Sequence, residues 1–372
     1  MIRPHIPWAE PRYWGNEEAF AVDALRSTWI SGGPYVERLE RDIGRFCGSE
    51  HVVATSNGTT ALHAALLALD VQPGDEIVVP AFAFMAAANV VLHLRAVPVF
   101  ADVDPLTWCV TARSIEAVIT PRTRGVVPVH SYGNVCEIDA IVELAERHGL
   151  WVVEDAAEAL GSVYRGRHAG TIARVGTYSF HATKTITTGE GGAVVTNAPA
   201  LAERMRLYRS HGVASRRYWH DVAGHNFRLT NLQAAIGCAQ LERIDAITAA
   251  RQRVWKSYAS MLGDAPGLRL QSMTPGTVPL IWAVAVRLDP AAYLQGRDAV
   301  MEQMAGAGIE TRPGFYAAAQ MPHLYRADST PQATAVAAEV ISLPSSPTVN
   351  DEEIAFIASR LTGLVTGPAK CP

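Results

Sequence analysis

From about residue 50 the chain alternates two kinds of pattern. Short runs at 52–55, 76–79, 97–100, 125–129 and 150–154 are almost continuously apolar, which is the signature of strands covered on both faces. Between them lie helical stretches: one through residue 69 after the turn Ser56-Asn57-Gly58, a short one at 114–119, and Ile138–Arg147. Strands alternating with helices predict an α/β fold with a mostly parallel sheet and helices on both faces. The first 50 residues are polar and helical, interrupted by a loop at 29–34. Beyond Asp155 the rhythm changes. Short strands at 176–180 and Gly192–Thr196 flank a Gly/Thr-rich loop, and 200–210 is helical. Residues 232–261 read as one long helix, Arg-rich in its second half, that bridges to a smaller α+β domain with a strand at 280–286 and a helix at 296–307. The expected division is a large domain at 1–245 and a small one at 246–372.

The 372 residues are 49% hydrophobic and 18% charged, which excludes a disordered chain. A formal charge of −4 with no basic patch offers nothing to nucleic acid or an anionic membrane. The start carries no apolar run of signal-peptide length. The most apolar stretch, 77–94, is interrupted by Pro80, Asn89 and His93 and reads as strand, turn and buried helix rather than a membrane span. Five scattered cysteines without a CxxC fit reduced thiols in a cytoplasmic protein, not a disulfide framework or a metal cluster. Lysine occurs only at 184, 256 and 370. Any task that arginine cannot perform therefore falls to one of these three.

In open α/β sheets, ligands bind beyond the carboxyl ends of the strands. Four segments there carry chemistry. Ser56-Asn57-Gly58-Thr59-Thr60 opens a helix, giving either a phosphate site or an ordinary N-cap. Glu154-Asp155-Ala156-Ala157-Glu158 ends an apolar strand, where an acid needs a cationic partner or ionises reluctantly. Lys184 follows the run Ser179-Phe180-His181 and precedes a Gly/Thr loop. It is either a buried ion-pair member or a nucleophilic amine able to form a Schiff base. Lys256 and Lys370 read as solvated. Gly224-His225-Asn226-Phe227-Arg228 is a polar, aromatic loop before the long helix.

A phosphate-binding helix start, a strand-end acid and a Schiff-base lysine, in that order, are what pyridoxal phosphate requires. On these residues the chain resembles the DegT/DnrJ/EryC1/StrS sugar aminotransferases, type I pyridoxal-phosphate enzymes of the aspartate-aminotransferase fold. The resemblance also runs through 29–33, 73–76, 129–133, 226–237 and Leu343-Pro344. It implies that Lys184 carries the cofactor and that Asp155 faces its ring nitrogen. It sets Glu158 near the ring hydroxyl, Phe84 against the ring, and Gly58, Thr59 and Ser179 on the phosphate. Asn226 matches a residue that reaches the phosphate of the neighbouring subunit, so the resemblance implies a homodimer with shared sites.

Within the family, EDAAEALGS, GRHAGT, KTITTGEGG and Thr311-Arg312-Pro313 are most similar to the perosamine-synthase branch. Those enzymes aminate C4 of a GDP-linked 4-keto-6-deoxy sugar; related branches use dTDP or UDP sugars. Ala83 and Ala87 depart from the hydroxyl residues common beside the aromatic, and 314–319 lacks the usual Pro/His pattern. The implied reaction takes the amine of glutamate to the sugar ketone, with Lys184 moving the proton. Arg312 is a candidate for the diphosphate or the donor carboxylate, and His181 for the sugar. Alternative readings are an aminotransferase acting on a cyclitol or a 3-keto sugar, and a non-catalytic regulator that senses the cofactor.

Overall fold

The computed structural model describes residues 2–324 and 330–368. Its main sheet has seven strands: β1 (His51–Thr55), β2 (Glu76–Pro80), β3 (Val97–Ala101), β4 (Thr123–Val126), β5 (Trp151–Asp155), β6 (Val175–Ser179) and β7 (Gly192–Thr196). The spatial order is β1-β7-β6-β5-β4-β2-β3. Neighbours from β6 to β3 run parallel, so the mostly parallel sheet read from the sequence is present. Segment 180–191 forms no helix, and β7 therefore returns antiparallel to β6 and to β1. Every residue of β2 is buried, and β1 is buried from Val52 on, which is the physical basis of their apolar runs; β3, at the sheet edge, buries only Phe100 and Ala101.

Helices Glu17–Arg26 (α1) and Pro34–Cys47 (α2) precede β1. Helix α3 (Gly58–Ala68) follows it and buries Ala61, Leu62, Ala64, Ala65, Leu66 and Ala68. A helix apolar on nearly all sides must run through the interior, which brings its polar N-terminus to the end of the sheet. The helix expected at 114–119 begins earlier, at Ala112, because Thr111 and Ser114 cap each other.

The single helix expected at 232–261 is two: α4 (Asn231–Leu241) and α5 (Ile244–Leu262). Arg243 leaves helical geometry at φ −112°, ψ 18°. The Glu242 carboxylate is tied there by Arg38 at 2.6 Å and Asn16 at 2.8 Å, contacts from about 200 residues away that helical periodicity does not report.

A second sheet has the order β8-β9-β11-β10, built from Leu268–Leu270 (β8), Ala285–Leu288 (β9), Arg312–Pro313 (β10) and Val340–Ser342 (β11). It packs with α5 and the helix Asp351–Thr362 around Val254, Tyr258, Val286, Ile341 and Ile357. Ile6 sits in the same cluster and bridges to Ile309. The strand expected at 280–286 begins only at Ala285. Ahead of it, the Trp282 amide donates to the Tyr132 carbonyl instead, which draws this stretch to the large sheet.

Among the described residues, no helix is long and apolar enough to cross a membrane. Cys47, Cys109, Cys136 and Cys238 are buried free thiols. Lys370 and Cys371 lie outside the described residues.

Candidate functional site

Strand register assembles the site. Gly192 of β7 pairs with Thr55 on one side and Ser179 on the other, and Asp155 pairs with Thr177. The carboxyl ends of β1, β5 and β6 therefore lie side by side. A cavity of about 470 Å³ opens there, lined by Asn57, Gly58, Thr59, Phe84, Asp155, Glu158, Ser179, His181, Lys184, Glu190 and Trp282, among others.

One wall is the start of α3. Asn57 Oδ1 accepts the Thr60 amide at 2.9 Å, and Thr60 Oγ1 accepts the Asn57 amide at 3.1 Å. This reciprocal cap leaves the Gly58 and Thr59 amides without a partner among the described residues. They sit at the positive end of the helix. Packing here is close. A Cβ on Gly58 would lie 3.0 Å from Ser179 Cβ, and one on Gly192 would lie 2.5 Å from the Asn57 carbonyl. Only glycine permits that approach. Two free amides and a nearby hydroxyl make an anion cup.

The cavity also carries the ionisable groups. Asp155 and Glu158 are both buried, and burial raises the pKa of each carboxyl. Asp155 Oδ1 accepts the Ala157 amide at 3.1 Å, and Glu158 Oε2 accepts the Tyr132 amide at 2.8 Å. Lys184 Nζ lies 3.8 Å from Glu158 Oε1 and 3.7 Å from the centroid of the Trp282 ring. Burial lowers the Lys184 pKa, opposed by the two carboxylates. The amine is thus poised to be neutral more readily than a surface lysine.

Phe84 stands at the mouth, 63% exposed, with its ring 6.3 Å from that of Phe315. His181 is also at the mouth: Nδ1 bonds Thr183 Oγ1 at 3.1 Å and Nε2 is 3.9 Å from Glu190. Two candidates are not brought in by a single chain. Asn226 Oδ1 accepts from Arg228 Nε at 2.9 Å. Arg312 pairs with Glu310 on the exposed edge of the small sheet. Neither lines the cavity.

Sequence reasoning missed Trp282, which it placed inside a strand. Tyr132 lies within the 129–133 stretch and was not singled out. That residue adopts φ +60°, which turns its amide to Glu158, and its ring stacks 5.1 Å from Phe315 and 6.1 Å from Trp282. An aromatic residue in the left-handed region has no sequence signature.

An anion cup, a buried acid and a buried amine on one cavity fit a flat phosphorylated aldehyde with a basic ring nitrogen. The sequence pattern of the DegT/DnrJ/EryC1/StrS aminotransferase family matches residues 14–362. A GDP-perosamine synthase of Caulobacter vibrioides is 41% identical over 366 residues, covering 96% of this chain and 98% of that protein. The crystal structure of the aminotransferase TlmJ from Streptoalloteichus hindustanus aligns with TM-score 0.91 at 31% identity, over 96% of this chain and 98% of that one. The PLP form of Spr1654 from Streptococcus pneumoniae aligns with TM-score 0.92 at 26% identity, over 97% and 98%.

Proposed function

Because the chain belongs to the DegT/DnrJ/EryC1/StrS aminotransferase family, we propose that it moves the amino group of glutamate to the C4 ketone of a nucleotide-linked 4-keto-6-deoxyhexose, with GDP as the nucleotide. The relative at 41% identity supports that sugar and that nucleotide. Pyridoxal phosphate is the cofactor. When bound, it supplies an aldehyde for amines and an electron-poor ring that stabilises the charge left by proton removal.

The protein's own groups take the following roles. The Gly58 and Thr59 amides and the Ser179 hydroxyl hold the phosphate. Asp155 would accept a hydrogen bond from the protonated ring nitrogen and so keep it protonated, an interaction strengthened by its dry surroundings. Lys184 would hold the cofactor's aldehyde, and its Nζ, when free, would take up a proton from the donor substrate and give it back. Glu158, 3.8 Å from that amine, keeps the ammonium form available for the return step. Phe84 and His181 shape the mouth. A cytoplasmic homodimer completes the reading: Asn226, away from its own chain's cavity, serves the partner's phosphate.

The observation that carries the proposal is the placing of Lys184, Asp155 and the unpaired α3 amides on one cavity. The test is incubation with glutamate, followed by GDP-, dTDP- and UDP-linked 4-keto-6-deoxy sugars, with products read by mass. Release of 2-oxoglutarate and a GDP-amino sugar is expected. Absence of any amino sugar product would refute it.

A further inference from the structure

We propose that Arg251 is a positioning residue for Lys184, fixing the backbone at both ends of the Lys184–Trp282 contact. The inference rests on the reading of Lys184 as the reacting amine. Arg251 projects from α5 and is 5% exposed. Its Nη1 donates to the Trp282 carbonyl and its Nη2 to the Lys184 carbonyl, each at 2.9 Å. Trp282 Nε1 in turn donates to the Thr183 carbonyl at 2.9 Å, and its ring meets Lys184 Nζ. These contacts close a loop: guanidinium, lysine backbone, amine, indole, tryptophan backbone, guanidinium. Three segments distant in sequence are locked into one arrangement by a single planar fork.

The choice of residue is informative. Among the described residues no carboxylate pairs with Arg251, and burial alone pulls its pKa down to about 10. An unpaired buried cation is costly, and a neutral side chain would fill the space more cheaply. What a neutral side chain lacks is two rigid donors spanning two carbonyls, together with a positive charge behind the amine. The groups acting on Lys184 are Glu158 and Asp155, which favour the ammonium, and burial and Arg251, which oppose it. Arg251 thus holds the amine over the indole face and assists its neutral form.

The test uses the full-length chain freed of cofactor and acetylated across a pH series, with Lys184 labelling read by peptide mass spectrometry. Exposed Lys256 is the internal control. In Arg251→Gln the labelling midpoint rises by roughly half a unit to one unit. In the cofactor-loaded enzyme kcat falls roughly ten- to hundred-fold, while KM for the nucleotide sugar changes less than about twofold. Arg251→Lys moves both quantities back toward wild type. A folded Gln variant with wild-type midpoint and kcat overturns the proposal, as does a Lys variant no closer to wild type than Gln. If Arg251→Gln does not fold, Arg251→Lys decides: a near wild-type midpoint with kcat down about tenfold supports it, and wild-type kcat overturns it. Failure of the proposed function would read differently, since wild-type protein would then transfer no amine while the labelling midpoints still responded to residue 251.

Discussion

Glu154 and Asp155 are adjacent on β5 and serve opposite sides of the sheet. Glu154, fully buried, accepts the amides of Gly170, Ile172 and Ala173 at 2.9, 2.7 and 2.5 Å and bonds His130 Nε2 at 2.9 Å. The His130 Nδ1 accepts the Cys136 amide, which leaves Nε2 to carry the proton given to Glu154. Asp155 instead lines the cavity at the end of the sheet. The split follows from the two-residue period of a strand, and it separates a scaffold acid from the acid proposed to serve the chemistry.

Replacing the scaffold acid should therefore act on stability. Glu154→Ala strands the buried Gly170 amide, the half-buried Ile172 and Ala173 amides and the buried His130 N–H at once. Loss of about 3–5 kcal/mol is expected, by analogy with removing one member of a buried charged network. Urea denaturation of the cofactor-free chain measures it, and a loss below about 1 kcal/mol would show that this carboxylate is not what orders the 170–173 loop.

Replacing the chemical acid should do the reverse. Burial raises the Asp155 pKa above its ordinary value, so its ionised form is a liability to the empty fold. Asp155→Asn is expected to leave the melting temperature unchanged or raised, and to lower kcat on the order of 10²–10³-fold. A variant that melts earlier and keeps its turnover would reverse the roles assigned to the two neighbours.

Lys184→Arg keeps a cation in the cavity and removes the one lysine amine that lines it among the described residues. Borohydride treatment of the loaded wild-type enzyme should fix the cofactor on the peptide containing residue 184, with Lys256 unlabelled. The arginine variant should take no label and transfer no amine. Label on Lys256, or turnover by the variant, would end the assignment.

The main sheet and the cavity edge were legible because their causes are local. Runs such as 76–79 need both faces covered, and Asn57-Gly58 opens an apolar helix, so strand, turn and helix are written in consecutive residues. The scarcity of lysine singles out Lys184, which lines the cavity. What stayed hidden depends on contacts between distant segments. Trp282 reads as a strand residue until Tyr132 captures its amide, 150 positions earlier in the chain. Arg251 looks like any arginine of an amphipathic helix until its fork meets two carbonyls. The break after Leu241 coincides with the ties from Glu242 to Arg38 and Asn16. Arg312, chosen for its chemistry alone, is held at a sheet edge by Glu310.

The helix that supplies the anion cup also carries a pH liability. His63 of α3 lies 5.2 Å from His225 and 6.3 Å from His93, ring to ring, with Phe227 at 5.3 Å. Burial, then the neighbouring His225 and His93, lower its pKa from 6.5 to about 4. The unfolded chain therefore binds a proton here that the folded chain refuses between these two values. Stability contributed by the neutral ring is complete above about pH 6.5 and is lost as pH falls toward 4. Because the ring is only partly buried, the loss over that window is about 1–2 kcal/mol after allowance for solvent screening. His63→Gln removes the proton site, so its urea midpoint should change less than that of wild type between pH 7 and 4.5. Equal slopes for the two proteins would mean that the acid sensitivity of the fold resides elsewhere.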